Sequence, residues 1–231
     1  LITALILPSN GTINVGKFML KKDIKIKNIN DLRFNVGFVF QFSEQQFFKD
    51  TVKKEIEFGM TYFKYKLDNI DYRIDQALKM VGLNETYLDK NPFCLSRGEQ
   101  RMVAIASMLV FNPKIIILDE PTVGLDNKNK NLLIRLIRNL KYKYNKTIII
   151  VSHDVDMVYK CSDNIIVLKD GQLLDSGNKF EVFRKVDFLK DNGVAIPKVA
   201  LFSDLVHKKK GINLGNYTEI KDLIKAIYRN V

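Results

Sequence analysis

The chain has 231 residues, 46% of them hydrophobic and 27% charged, which is enough for one α/β domain of ordinary size with a small appendage and a sizeable core. No apolar stretch approaches the roughly 20 residues that cross a bilayer, so any hold on a membrane is expected through a partner. The formal net charge of +11 would suit nucleic acid or an anionic surface. However, the lysines are dispersed (Lys21, Lys22, Lys25, Lys27, Lys128, Lys130, Lys208 to Lys210) without interleaved stacking aromatics, which favours a solvated surface.

The chain opens at Leu1 with no initiator Met and no signal-peptide pattern, and is read as a fragment. Three later segments share one design, an apolar run that stops abruptly in polar residues: Val36 to Gln41, Ile115 to Glu120 and Thr147 to Asp154. Such runs suit strands buried on both faces of a parallel sheet. Ligands collect beyond the carboxyl ends of such strands, so Gln41, Asp119, Glu120 and His153 are expected on one edge.

Between Phe42 and Leu95 the pattern turns helical, with Ile74, Leu78 and Val81 at helical spacing and Gly82 as a stop. Ser96 then caps a helix whose apolar face is Met102, Val103, Ile105, Ala106 and Leu109, closed by Asn112-Pro113. A further run, Asn164 to Leu168, ends in Asp170-Gly171, a hairpin signal with Leu173-Leu174 returning. Beyond Lys185 short helical pieces are broken by Gly193, Pro197, Gly211 and Gly215. Cys94 and Cys161 lack metal-ligand spacing; both read as core filling in a reducing compartment.

The chemistry-bearing stretch is Ile115-Ile116-Ile117-Leu118-Asp119-Glu120-Pro121, two carboxylates at the tip of an apolar strand. One can hold Mg²⁺ through water while the next orients a water for in-line phosphoryl transfer. Alone, the pair is equally a turn or a helix cap. Upstream, Leu95-Ser96-Arg97-Gly98-Glu99 lies at a helix N-terminus, where free N–H groups favour an anion, or where Ser96 and Glu99 simply cap the helix. Downstream come Gly124-Leu125-Asp126 and Ser152-His153-Asp154.

In this order the motifs resemble those of the ABC ATPases. The finer text, Val36-Gly37-Phe38-Val39-Phe40-Gln41 through Phe48, and the tail Gly193-Val194-Ala195-Ile196-Pro197, are similar to the energy-coupling factor (cobalt-importer-type) transporter ATP-binding proteins, from about Leu1 to Tyr228. The resemblance implies a P-loop NTPase-like α/β cassette over residues 1–184, incomplete at its N-terminus, with a mostly parallel sheet and a helical subdomain at about 43–112. A C-terminal helical domain would follow over 185–231.

The resemblance further implies ATP and Mg²⁺ as ligands. Glu120 would polarise the attacking water, Asp119 would anchor the metal through water, and Gln41 would touch both metal and water. His153 would bridge the γ-phosphate and the catalytic Glu. Ser96, Gly98, Glu99 and Asp126 would serve a nucleotide shared with a second ATPase subunit, a paralogue or a second copy. Phe42 to Phe48 resembles the surface that receives a transmembrane coupling subunit, or is a loop with buried Phe anchors. A separate membrane subunit would choose the cargo, a vitamin or transition-metal ion, while this chain would act peripherally at the cytoplasmic face of the cell membrane.

Two departures stand out. No Gly-rich phosphate (Walker A) loop is present, and Leu1 to Leu5 resembles the helix that follows one, with Pro8 to Ile13 as the next turn, so the chain as given is expected to bind ATP poorly. Arg97 replaces the first Gly of the signature pair, and either projects from the loop or crowds the phosphate. The competing readings are a nucleic-acid-associated ABC ATPase and a non-catalytic cassette. Against the first stands the short stretch between Gln41 and Ser96, which has no heptad series. Intact Glu120 and His153 stand against the second. No nucleic-acid partner is expected.

Overall fold

The computed structural model describes residues 1–24, 26–62 and 69–230, so Lys25, residues 63–68 of the helical stretch and Val231 of the tail lie outside the described residues. Two compact units divide the chain, Leu1–Val151 and Ser152–Val231.

The first unit starts with turns. Leu1 to Leu5, expected as a helix, folds instead into a turn in which Ala4 N–H donates to Leu1 O at 2.8 Å and Ala4 takes φ 53°. The Arg33 guanidinium satisfies the carbonyls of Thr3 and Ala4, each at 3.4 Å. Ile13, expected in a turn, already belongs to β1 (Thr12–Val15), which pairs antiparallel with β2 (Phe18–Lys21).

Helix α1 (Ile29–Asn35) runs straight into β3 (Val36–Val39). Then come α2 (Val52–Tyr62), α3 (Ile70–Met80) and α4 (Arg97–Leu109), so the helical layer is inserted before β4 (Ile115–Asp119). The helices form where the pattern places them. Ile74, Leu78 and Val81 are buried, Gly82 ends α3 at φ 79°, and the α4 stripe of Met102, Val103, Ile105, Ala106 and Leu109 is buried throughout. Cys94, expected in the core with Cys161, is exposed, because it lies in a short 3₁₀ turn, Pro92–Cys94, that buries only Pro92.

Helix α5 (Asn127–Tyr142) leads to β5 (Thr147–Val151). The sheet order is β3-β4-β5, all parallel, with Leu118 opposite Val39 and Ile150, and Asp119 opposite Val151. Central β4 matches the expectation of burial on both faces, with Ile116 and Leu118 buried on one and Ile117 on the other. The outer strand β5 does not: its isoleucines are half-buried, and Thr147 and Val151 are exposed. Among the described residues it has a strand neighbour on one side only.

The second unit holds α6 (Val155–Cys161), the hairpin β6 (Asn164–Lys169) and β7 (Gln172–Asn178), and α7 (Lys179–Arg184), α8 (Val186–Asp191), α9 (Lys198–Lys210) and α10 (Ile220–Asn230). Asp170 and Gly171 take φ 50° and 76° between paired Lys169 and Gln172, the left-handed pair that a two-residue hairpin turn requires. Its core gathers Tyr159, Ile165, Val182, Phe183, Leu189 and Val199. No helix of the described residues is long and apolar enough to cross a membrane.

Candidate functional site

Because β3, β4 and β5 are parallel, their carboxyl ends form one edge. Gln41 follows β3 by two residues, in a turn closed by Ser43 N–H donating to Phe40 O at 3.2 Å. Asp119 is the last residue of β4 and is half-buried, as is Glu120. At Glu120 the chain leaves the sheet with φ 44°, a left-handed conformation that costs a residue with a side chain of order 1–3 kcal/mol and recurs at functional sites. Its N–H donates to Val151 O at 2.8 Å, and its carbonyl accepts from Val123 N–H at 3.3 Å. The sheet therefore brings Gln41, Asp119 and Glu120 to one edge.

His153 follows Val151 by two residues and belongs to the second unit. It lies in the cap of α6, where Ser152 Oγ accepts from Asp154 N–H at 3.1 Å and Asp154 Oδ1 from Met157 N–H at 3.1 Å.

A second group forms at two helix starts. Ser96 Oγ accepts from Glu99 N–H at 3.3 Å, while Glu99 Oε2 accepts from Ser96 N–H at 2.9 Å and from the Ser96 hydroxyl at 2.6 Å. The Tyr87 hydroxyl donates to Glu99 Oε1 at 2.7 Å. These donors, the Ser96 hydroxyl first, hold the Glu99 carboxyl down at about 2. The same bond pushes the Tyr87 hydroxyl up, since losing its proton would set two negative charges together. Asp126 caps α5 by accepting from Asn129 N–H at 2.7 Å. The two helix starts meet at buried Gly98, where a Cβ would stand 2.5 Å from Asn129 Nδ2 and Oδ1. Gly98 thus has a packing reason to lack a side chain. Arg97 reaches over the adjoining loop, with Nη1 3.8 Å from the point a Cβ on Gly124 would occupy.

One residue of the site was not singled out in the sequence. Arg101 is completely buried. Its Nη1 donates to Phe40 O at 3.3 Å and Ser43 Oγ at 3.5 Å, and its Nη2 to Glu44 Oε1 at 3.4 Å and Val123 O at 3.5 Å. Burial pulls its pKa down and the Glu44 carboxylate opposes the shift. The signal was present: Arg101 falls on the α4 stripe, four residues before buried Ile105 and next to buried Met102.

Segment Phe42 to Phe48 is anchored and open at once. Phe47 is buried, while Phe42 and Phe48 are exposed. Glu55 of α2 accepts from Phe48 N–H at 3.1 Å and Lys49 N–H at 2.9 Å, and Phe48 packs edge-on against Phe58.

Among the described residues no three His, Cys, Asp or Glu cluster as a metal cage. Mg²⁺ is ordinarily held by one or two protein oxygens with water and substrate phosphates. Asp119 and Gln41, on neighbouring strand ends, supply one carboxylate and one amide oxygen, a donor set that fits that pattern. A cavity of about 150 Å³ among Tyr159, Phe183, Arg184 and His207 lies in the second unit, and none of the site residues lines it.

A parallel sheet with a helical layer inserted between β3 and β4, ending in α4 with its Ser-capped start, defines an ATP-binding-cassette fold. The ABC transporter family model matches residues 1–123. The energy-coupling factor transporter ATP-binding protein EcfA2 of Clostridium perfringens (strain 13 / Type A) is 39% identical over 235 residues, covering 99% of this chain and 81% of its own length. EcfA2 of Clostridium acetobutylicum is 42% identical over 201 residues, 86% of this chain and 69% of its own. The structure of cbiO1 from C. perfringens, part of the ABC transporter complex cbiONQ, superposes with a TM-score of 0.68 at 34% identity, over 87% of this chain and 79% of that one. The ATP-binding cassette MJ0796, a dimer in a post-hydrolysis state bound to ADP and Pi, gives 0.65 at 29% identity over 77% of each chain. The chain belongs to the energy-coupling factor branch of the ABC transporter ATP-binding proteins.

Proposed function

We propose that the chain is the ATP-binding and ATP-hydrolysing subunit of an energy-coupling factor importer, with Glu120 as the residue that activates water. Hydrolysis is an in-line displacement: a water oxygen bonds to the γ-phosphorus as the bond to the bridging oxygen of ADP breaks. The Glu120 carboxylate accepts the proton that the water gives up and passes it to the phosphate product. Gln41 orients the water through its amide, and His153 donates to a γ-phosphate oxygen. Mg²⁺, when bound with the nucleotide, offsets charge on the β- and γ-oxygens; Asp119, through water, and Gln41 would hold it.

The supporting observation is the register of β4, which sets the Asp119-Glu120 pair between the strand that leads to Gln41 and the strand that leads to His153. Ser96, Gly98, Glu99 and Asp126 serve a nucleotide shared with a second ATPase subunit, and residues 1–184 act as the cassette with 185–231 as its C-terminal domain. Exposed Phe42 and Phe48 on the anchored segment receive a transmembrane coupling subunit at the cytoplasmic face, and a substrate-binding membrane subunit selects a vitamin or metal ion.

The test is single-turnover hydrolysis by the full protein assembled with its partner subunits. Glu120→Gln is expected to lower the rate roughly 10²- to 10⁴-fold, the range of a positioned acid or base, while ATP binding persists. An unchanged rate would remove Glu120 from the reaction.

A further inference from the structure

We infer that Arg101 is a positioning residue that sets the turn carrying Gln41 against the turn that begins at Glu120. The inference rests on the roles proposed above for those two residues. Ser43 N–H donates to Phe40 O, closing a turn in which Gln41 is the second residue. Arg101 Nη1 donates to both ends of that turn, the Phe40 carbonyl and the Ser43 hydroxyl. Val123 N–H donates to Glu120 O, closing the turn that leaves β4, and Arg101 Nη2 donates to the Val123 carbonyl. One planar guanidinium thus touches both loops, from a helix whose first turn carries Gly98 and Glu99.

Packing alone does not account for an arginine here. A methionine or leucine would fill the stripe beside Ile105 without taking a charge out of water, and removing charge from water costs several kcal/mol per ion before compensation. Arg101 has no accessible surface, so its whole charge is met by protein: the Phe40 carbonyl and Ser43 hydroxyl of the Gln41 turn, the Val123 carbonyl, and the Glu44 carboxylate at 3.3 Å. A fork of fixed donors can span two loops at once, as the compact ammonium of lysine cannot.

The contacts are at the long end of the hydrogen-bond range, 3.3 to 3.5 Å, and Arg101 Nε and Glu44 Oε2 have no hydrogen-bond partner. A small movement of the Gln41 turn would close the Arg101–Glu44 pair into a two-pronged one, and Gln41 would move with it. Hydrogen bonds at catalytic sites are often long until substrate is bound.

The experiment compares Arg101→Lys, Gln41→Ala and the double variant in the protein assembled with its partner subunits, reading kcat, KM for ATP and thermal midpoint. Arg101→Lys is expected to lower kcat about tenfold or more, as misplaced groups do, with KM within about twofold and the midpoint largely kept. The double variant is expected to be no slower than Gln41→Ala, because the two residues act as one unit. Multiplying effects, or an Arg101→Lys variant at the wild-type rate, overturn the positioning role alone. A Gln41→Ala variant at the wild-type rate overturns both that role and the assignment of Gln41. Should Arg101→Lys not fold, Glu44→Gln, which keeps the arginine and removes its charge partner, replaces it in the same cycle. Multiplication there also overturns the inference.

Discussion

The backbone N–H of Glu120 donates to the carbonyl oxygen of Val151 at 2.8 Å, and that bond ties the carboxylate to the end of β5 at the residue where the chain turns left-handed. The ladder β4–β5 thus extends one residue past the last paired position, Asp119 with Val151. The residue that carries the carboxylate is thus held at the strand-end edge by its backbone, at a conformational cost.

That cost is measurable without reference to what the carboxylate touches. Alanine at 120 loses the side chain and keeps the unfavourable φ, whereas asparagine and glycine lose it and tolerate the left-handed region. Glu120→Asn is expected to melt above Glu120→Ala by about 2–4 °C, corresponding to about 1 kcal/mol for a chain of this size. Equal midpoints for the two variants would mean that the turn carries no such strain.

Glu99 gives the protein a pH dependence whose sign is set. Its folded carboxyl sits at about 2, below the ordinary 4.5, so the unfolded chain binds the proton more readily. The stabilisation is present in full above 4.5 and fades as pH falls from there towards 2. Glu99→Gln lacks this contribution. In urea titrations the wild type should exceed Glu99→Gln most at neutral pH, and the gap should close on acidification. A gap of constant size from pH 7 to pH 2 would deny the carboxylate this role. Tyr87→Phe removes one of the donors and should narrow the gap at neutral pH.

Much of this site is legible in residue order, for physical reasons that differ from element to element. Strand β4 is readable because a run buried on both faces must be apolar up to the residue where it leaves the sheet, which is why Asp119 and Glu120 mark its end. The start of α4 is readable because Ser96 and Glu99 satisfy each other's N–H groups locally. The half-exposure of β5 is not readable, since Ile148 to Ile150 look like any core strand and burial depends on neighbours supplied from elsewhere. Arg101 hides for a related reason. Its helical period places it in the core, its charge places it outside, and the conflict is resolved by acceptors 57 to 61 residues earlier and 22 residues later.

Gly98 shows how a motif residue can answer to packing. A methyl group at this position would stand 2.5 Å from Nδ2 and Oδ1 of Asn129, so the side chain at the start of α5 has to swing away or the helices have to part. Overpacking of this kind costs about 1–3 kcal/mol. Gly98→Ala should therefore lower the thermal midpoint, and adding Asn129→Ala, which deletes the three atoms in the way, should return most of the loss. The two substitutions then couple with opposite sign to their separate effects, as a shared contact demands. If hydrolysis recovers together with stability in the double variant, the glycine acts through the junction of α4 and α5. If stability returns while ATP affinity stays low, the missing Cβ is needed for the close approach of a phosphate to the backbone. A double variant as unstable as Gly98→Ala would show that Asn129 is not what the glycine makes room for.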